Sequence, residues 1–211
     1  MTPSSDIAFT PTVKALQTAR GSRGAYTKME ERGGFRTAIT ADLIEFLSGI
    51  DTAYLATVNA ARQPYAQHRG GPKGFIRVID QSTLGFADYT GNRQYVSTGN
   101  LADNDKAFLF LMDYANRRRI KLWGRARIEA DDRQLIDRLM PVGYISEGYR
   151  ARPEQAILFE VTAWDVNCPQ HIPQKLDAAD VAAAMGHLEA RIAALESENA
   201  ALRAQIKGPQ R

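Results

Sequence analysis

KAFLFLMDYANRRRIKLWGRARIE, residues 106–129, carries the clearest secondary-structure signal in the chain. It holds two runs of β-type residues, 106–113 and 118–129, and the connection from Tyr114 to Asn116 is typical of a turn. Strands joined by so short a connection are antiparallel, because a parallel return needs a crossover of about a dozen residues. The stretch therefore predicts a β-hairpin.

Other short β-type runs lie on both sides of this hairpin at similar spacing. They are TAYLATVN (52–59), PYAQHR (64–69), GFIRVID (74–80), TLGFAD (83–88) and QAILFEVTAWDV (155–166). Turn residues separate most of them, as with the residues just before Pro64. Such a series predicts a mainly β fold, with an antiparallel sheet that closes or half-closes into a barrel.

Two helices are predicted beside the strands. The first begins after Thr40, because Thr40 can cap it, three apolar residues then fall on one face, and Gly49 can end it. The second is DDRQLIDRLM, residues 131–140, which Pro141 ends. The fold class predicted is therefore mainly β with flanking helices.

The length of 211 residues and a hydrophobic content of 44% allow one substantial core. The usual size of a domain, about 150 residues, leaves room for appendages but not for a second compact domain. Residues 39–170 are predicted to form that domain. Residues 1–38 are rich in Gly, Ser, Thr and Arg without a sustained period, and we expect an arm that packs irregularly on the domain.

Cysteine content, hydropathy and charge limit the cellular compartment and the partners of the protein. The single cysteine, Cys168, excludes an internal disulfide and fits a reducing compartment. No window approaches the roughly 18 apolar residues that a membrane helix needs, so we predict a cytoplasmic protein without a membrane partner. The net charge of +3 is mildly basic, and nothing aromatic interleaves with residues 117–119, so no nucleic-acid partner is predicted.

Residues 178–207 show a heptad repeat. Apolar residues recur in steps of four and three, with leucines at d and isoleucines among the a positions, a choice that favours two strands. Asn199 falls at an a position, where it meets its own copy in a parallel, in-register pair. The charges at e and g agree with that pairing, and the sequence predicts a homodimer joined by a parallel coiled coil; a helix folded back on its own domain is the alternative.

Two turns between the strands combine glycines with basic side chains. Arg69 and Lys73 lie four residues apart around Gly70, Gly71 and Pro72. Arg93 and Ser97 bracket the second turn, although Ser97 could instead cap a helix from about residue 98 to 104. Guanidinium groups and free backbone amides suit a phosphate, so these turns are candidate sites for an anionic ligand.

Three stretches, ATVNAARQPYAQHRGGPKGF, LGFADYTGNRQYVSTGNL and FLFLMDYANRRRIKLWGRARI, resemble the pyridoxamine 5'-phosphate oxidase-like family. The ending AWDVNCPQHIP resembles a bacterial subgroup described as flavin-nucleotide-binding. The resemblance implies a homodimeric antiparallel split β-barrel that binds FMN at the dimer interface. It does not extend to the arginine-rich motif for a substrate phosphate, because this chain has NCPQHIPQK at 167–175.

The resemblance also implies which residues contact FMN. The HRGGPK stretch matches the family's span beside the isoalloxazine ring, and GNRQYVS matches its phosphate cluster, although Gln94 stands where that cluster has a second cation. Arg119 takes the place of the family's flavin-contacting glutamine and could come from the second subunit. The cofactor-binding residues implied are His68, Arg69, Gly70, Lys73, Tyr89, Thr90, Arg93, Ser97 and Arg119.

Two functions follow from the resemblance. The first is an FMN-dependent oxidoreductase that takes electrons from a reduced small molecule or NAD(P)H; its catalytic residues are not identified. The second is a non-enzymatic flavin or haem carrier, with His68 or His171 as the haem ligand. Cys168 and His171 have the spacing of half a metal site, but a structural zinc needs four ligands, so no metal is predicted.

Overall fold

The computed structural model describes residues 2–140, 152–166 and 169–207. They form two compact units, of which the first carries the β-sheet and its flanking helices. The second contains Tyr114–Asn116 and the C-terminal helix. The helix predicted over 131–140 is found at Arg133–Leu139. Pro141 and Cys168 lie outside the described residues, so the role of Pro141 as the helix stop and the half metal site stay predictions.

The described strands form one sheet, and every pairing between neighbours is antiparallel. In chain order the strands are β1 (Thr52–Val58), β2 (Pro64–Gly70), β3 (Arg77–Val78), β4 (Thr83–Tyr89), β5 (Lys106–Asp113), β6 (Arg118–Glu129) and β7 (Pro153–Val166). Their spatial order is β2-β1-β5-β6-β7-β4-β3. The predicted antiparallel sheet is therefore confirmed.

The hairpin of β5 and β6 has the bounds that the sequence predicts. Its turn places Arg117 at a φ of 53°, and the two strands pair from Lys106 opposite Arg125 to Asp113 opposite Arg118. Alternate residues of β6 are buried from Ile120 onward. This period of two is the pattern of a half-buried strand, and it is what allows the sequence to predict the strand.

The β3 segment differs from its prediction. The sequence favours a strand over 74–80, but only Arg77–Val78 pairs with β4. Asp80 accepts hydrogen bonds from the backbone N–H groups of Ser82 and Thr83, both at 2.8 Å, so its side chain turns the chain early. Phe75, just before the strand, is buried in the core.

The described helices are α1 (Pro11–Ala19), α2 (Arg23–Glu30), α3 (Ala41–Gly49), α4 (Val96–Asp103), α5 (Arg133–Leu139) and α6 (Ala178–Lys207). Helix α3 ends at Gly49 as predicted and buries Leu43, Phe46 and Leu47 against the sheet. Thr40 precedes the helix as predicted, at the N-cap position, but its side chain makes no capping bond. Its hydroxyl donates to the side chain of Asp42 and accepts no backbone bond.

The N-terminal arm is more regular than the sequence predicts, because it contains α1 and α2. Helix α1 begins with Thr10 as its cap and Pro11 as its first residue. This pair is a helix start signal, but the sequence around it has no sustained period that would predict a helix. The arm is fixed to the sheet by aromatic packing, with the Phe35 ring stacked on Trp123 at 5.0 Å between centroids. Residues 11–19 and 23–30 of the arm are therefore helical rather than irregular.

One backbone position in β6 admits only glycine. The register of β6 and β7 shifts between Trp123 and Gly124. A Cβ on Gly124 would lie 2.1 Å from the carbonyl oxygen of Glu160, well inside van der Waals contact. Any side chain at this position would therefore force β6 and β7 to shift at the irregularity.

The sheet is curled but not closed by hydrogen bonds. Among the described residues, β2 and β3 each have one neighbouring strand, so the closed form of the predicted barrel is not found. The side chains of Arg69 on β2 and Asp88 on β4 nevertheless form an ion pair, although four strands separate β2 from β4 in the sheet.

Candidate functional site

A pocket of about 260 Å³ lies where the curled sheet brings β2 close to β4. Its walls are β2, the end of β4, the loop 91–95, the first turn of α4 and Glu154 of β7. Arg69, Tyr89, Arg93 and Ser97, four of the residues that the resemblance implies, line it together. This pocket is the candidate site.

Alternation along β2 decides which of its side chains enter the pocket. Tyr65, Gln67 and Arg69 line the pocket, and successive side chains of a strand point to opposite faces. His68 therefore lies on the other face, where its ring meets the edge of Tyr54 at 5.7 Å between centroids. The structure separates His68 from Arg69, and only Arg69 belongs to the pocket.

Arg69 is held by a network that the sequence does not show. Its guanidinium group donates to a carboxylate oxygen of Asp88 and, at 3.0 Å, to the side-chain oxygen of Gln67. The two charged side chains are only 13% and 12% exposed. Gln155 of β7 donates from its amide nitrogen to the other Asp88 oxygen at 2.8 Å and to the Thr98 hydroxyl at 3.0 Å. Asp88 thus neutralises Arg69 and ties β2, β4 and β7 together.

The loop after β4 holds Arg93 over the pocket. Both Arg93 and Tyr95 have left-handed backbones, with φ of 59° and 53°. The Arg93 Nε donates to the Tyr95 hydroxyl at 3.0 Å, and that hydroxyl donates to Glu154 at 2.7 Å. The hydrogen bond to Tyr95, with the charge of Glu154, raises the pKa of the Arg93 guanidinium. Within the described chain, the terminal nitrogens of Arg93 have no acceptor, so they remain available to a ligand.

The first turn of α4 supplies backbone donors beside Arg93. The N-cap residue Tyr95 makes no capping bond with its side chain, and Gly99 is the first residue whose N–H bonds back, to the Tyr95 carbonyl at 2.8 Å. Among the described residues, the N–H groups of Val96, Ser97 and Thr98 have no acceptor, as is usual at a helix start, where the helix dipole also favours an anion.

Ser97 lies inside this first turn, so its predicted role as a cap for a helix beginning near residue 98 is wrong. The side chain is buried, and its hydroxyl donates to the Gln67 side-chain oxygen at 2.8 Å. The hydroxyl hydrogen of Ser97 is thus engaged by Gln67, which leaves the backbone N–H as the candidate donor of this residue.

The remaining candidates lie elsewhere on the first unit. Lys73 is exposed and lines a separate surface groove with Arg77 and Ile44. Gly70 ends β2, and Thr90 follows β4, where its N–H donates to the Arg152 carbonyl at 2.9 Å.

Arg119 lies on β6 with its guanidinium 6.0 Å from the Phe110 ring centre. Its buried Nε has no acceptor among the described residues.

The described residues also contain no group of three or more His, Cys, Asp or Glu side chains placed to hold a metal ion. None of the described helices is both long and apolar enough to cross a membrane.

The sequence profile of the pyridoxamine 5'-phosphate oxidase family matches residues 39–168, which is more than half of the chain. The chain belongs to this family. The match spans the sheet, α3, α4 and every residue of the pocket described above. The resemblance that the sequence shows is therefore confirmed, and the pocket belongs to the shared part of the fold.

Solved structures of similar proteins include HupZ from Group A Streptococcus, which is 18% identical with a TM-score of 0.48; the match covers 65% of this chain and 99% of that chain. An FMN-binding protein from Syntrophomonas wolfei is 12% identical with a TM-score of 0.47, over 72% of this chain and 97% of that chain. General stress protein 26 from Bacillus anthracis is 16% identical with a TM-score of 0.43, over 58% and 88%. Comparison with curated proteins finds no match.

Sequence reasoning misses the acids and amides that complete the pocket. Gln67 stands two residues before Arg69, and the period of a strand could have placed it on the same face. Asp88 ends a predicted strand, but nothing local pairs it with Arg69. Glu154 and Gln155 come from β7, more than fifty residues after Tyr95 and Thr98, which they contact, so no local pattern connects them.

Proposed function

We propose that this family member is a flavoprotein that binds FMN in the pocket and uses it as an oxidoreductase. The observation that carries the proposal is the position of Arg93 beside the uncapped start of α4. A phosphate with roughly two negative charges needs charge-assisted donors, which a guanidinium fork and helix N–H groups supply. Family membership makes FMN the phosphate-bearing ligand to test first.

The charges of the pocket fit one phosphate group. Asp88 already neutralises Arg69, and Glu154 is bound to Tyr95, so Arg93 is the cation whose terminal nitrogens stay available. The N–H groups of the first α4 turn add donors without adding charge. Arg93 and these amides would hold the phosphate, and Tyr89 would lie along the ribityl chain.

The pocket, at about 260 Å³, is near the lower end of the roughly 300–1,000 Å³ range of small-ligand sites, which suits the phosphate end of FMN. The family resemblance implies a dimer interface for the ring end. We propose a homodimer with two equivalent sites, in which the isoalloxazine ring extends toward the other protomer. Arg119, outside the pocket of its own chain, would then lie against the flavin of the second subunit.

The bound flavin would supply hydride and electron transfer, from NAD(P)H or a reduced small molecule to oxygen or another acceptor. The part of the protein is to orient the flavin and tune its potential. A cation such as Arg119 near the N1 and C2 carbonyl edge of the ring stabilises the reduced anion and raises the reduction potential.

The proposal is tested by titrating the purified chain with FMN and, in parallel, with riboflavin, following flavin fluorescence. The two ligands share the ring and the ribityl chain, so the difference in affinity reports the phosphate alone. We expect FMN to bind at least tenfold more tightly, as about 1.5 kcal/mol from a charged hydrogen bond requires. Equal affinities, or no binding of either flavin, would contradict the proposal.

Turnover separates an enzyme from a carrier. We expect the FMN-loaded protein to oxidise NAD(P)H with an added acceptor; flavin binding without turnover of any reduced substrate would favour the carrier. In the haem version of the carrier, the purified protein would show a Soret band. That version has less structural support, because His68 and His171 do not line the pocket and no other described histidine does.

Tyr95→Phe tests how Arg93 is positioned. The change removes the hydroxyl that accepts from the Arg93 Nε and donates to Glu154, but it keeps the exposed ring. We expect FMN to bind about fivefold more weakly, because a hydrogen bond of this kind contributes about 1 kcal/mol. Riboflavin affinity should not change, and a loss for both flavins alike would show that Tyr95 contacts the ring or chain instead.

A further inference from the structure

Helix α6 exposes a continuous row of large apolar side chains. Along its 30 residues, Leu188 is 64% exposed, Ile192 is 54% and Leu202 is 51%. Isolated apolar residues are common on protein surfaces, but a row that runs the length of a helix marks an interaction surface. We infer that α6 pairs with the α6 of a second copy as a parallel, in-register, two-stranded coiled coil.

The spacing of the row is that of a coiled-coil seam. The d positions are Val181, Leu188, Leu195 and Leu202, and the a positions are Met185, Ile192, Asn199 and Ile206. All of them lie on the helix that the structure shows as continuous from Ala178 to Lys207. Isoleucine at a with leucine at d packs best in two strands, which sets the number of helices.

Charge complementarity identifies the occupant as another copy of this chain. In a parallel pair, a g residue faces the e residue five positions on in the other helix. Arg191 at g then meets Glu196 at e, and Glu198 at g meets Arg203 at e, each pair opposite in sign. An unrelated partner would have to reproduce both pairs, whereas a second copy supplies them automatically.

Asn199 fixes the register. It lines a groove together with Ile192, Leu195, Glu196 and Arg203. A carboxamide carries both a donor and an acceptor, so two copies of Asn199 satisfy each other only when the helices are parallel and aligned. Any other alignment buries Asn199 against an apolar side chain.

Cysteine cross-linking in the full-length chain tests this pairing. In a Cys168→Ser background, Leu188→Cys and Leu202→Cys each place a thiol at d, where the copies face each other within the Cα separation of about 4.4–6.8 Å that a disulfide needs. Ser197→Cys, at f on the outer face, is the matched control. We expect both d variants to form disulfide-linked dimers on mild oxidation and the f variant to stay uncross-linked.

The two d positions also discriminate orientation. In an antiparallel pair centred on Leu195, the two copies of residue 188 would lie roughly 20 Å apart, so neither single variant would cross-link although a mixture of the two would. That result, or a cross-linking yield no higher than that of Ser197→Cys, would overturn the inference.

A charge reversal gives a second readout that does not depend on core positions. Glu198→Arg in the Leu188→Cys background sets two positive charges against each other, because position 198 faces Arg203 of the other helix, and it should lower the cross-linking yield. Adding Arg203→Glu restores opposite signs and should restore the yield. A yield that is unchanged by Glu198→Arg, or that the second change does not recover, would count against parallel self-pairing.

Discussion

Asp88→Ala should lower the free energy of unfolding by about 3 kcal/mol, the lower part of the range for breaking a buried ion pair. The alanine leaves Arg69 charged, largely buried and without its carboxylate, while its Nε already lacks an acceptor among the described residues. The lower part of the range applies because about an eighth of each side chain stays exposed. Urea denaturation followed by circular dichroism measures the change.

Asp105→Ala is the matched control for this substitution. Asp105 also binds an arginine, Arg125, through both carboxylate oxygens at 2.6 and 2.7 Å, but these side chains are 48% and 56% exposed. Exposed pairs contribute about 0–1 kcal/mol, so the control should be close to the unmodified chain. Equal losses for Asp88→Ala and Asp105→Ala would show that the burial of the Arg69 pair has no energetic consequence.

A double variant separates the ion pair from the packing around it. Arg69→Leu together with Asp88→Leu removes both charges, and apolar replacements of a buried pair are often neutral or stabilising. We expect the double variant to be more stable than Asp88→Ala. In the single variant, inorganic phosphate should recover part of the stability, because Arg69 faces the pocket and would then bind the anion.

The parts of the fold that the sequence predicts best are those with a strong local period. The hairpin of β5 and β6 alternates buried with half-buried or exposed residues along most of its length, and both strands have the bounds that the sequence predicts. The β3 segment is apolar over several residues, but most of it is not in the sheet. Its residues Phe75 and Ile76 are buried in the core outside the strand. The sequence does not predict helix α1, although Thr10 and Pro11 are a helix start signal, because residues 1–38 show no sustained apolar period.

The pocket is predicted only in part because it depends on how the sheet curls. Arg93 and the start of α4 are close in sequence, and turn chemistry alone places them together. Arg69 meets Asp88 only because β2 approaches β4 across a sheet in which they are not neighbours. His68 and Arg69 are adjacent in sequence, but the pleat of β2 sends them to opposite faces, which a motif match does not distinguish.

Arg93→Ala should weaken FMN binding roughly 10- to 150-fold, which corresponds to the 1.5–3 kcal/mol of a hydrogen bond to a charged group. Among the described residues, the terminal nitrogens of Arg93 have no acceptor, whereas Arg69 is bound to Asp88. Arg93 is exposed, so its removal should leave the fold unchanged. A fluorescence titration with FMN measures the effect.

Arg62→Ala provides a control matched in both chemistry and backbone. Arg62 is also an exposed arginine in a turn, and its φ of 65° is close to the 59° of Arg93, so the strain of an alanine with a left-handed backbone is the same in both variants. Arg62 does not line the pocket. If Arg62→Ala weakens FMN binding as much as Arg93→Ala does, the loss reflects net charge or turn conformation. If only Arg93→Ala weakens it, and riboflavin affinity stays constant, the guanidinium acts on the phosphate itself.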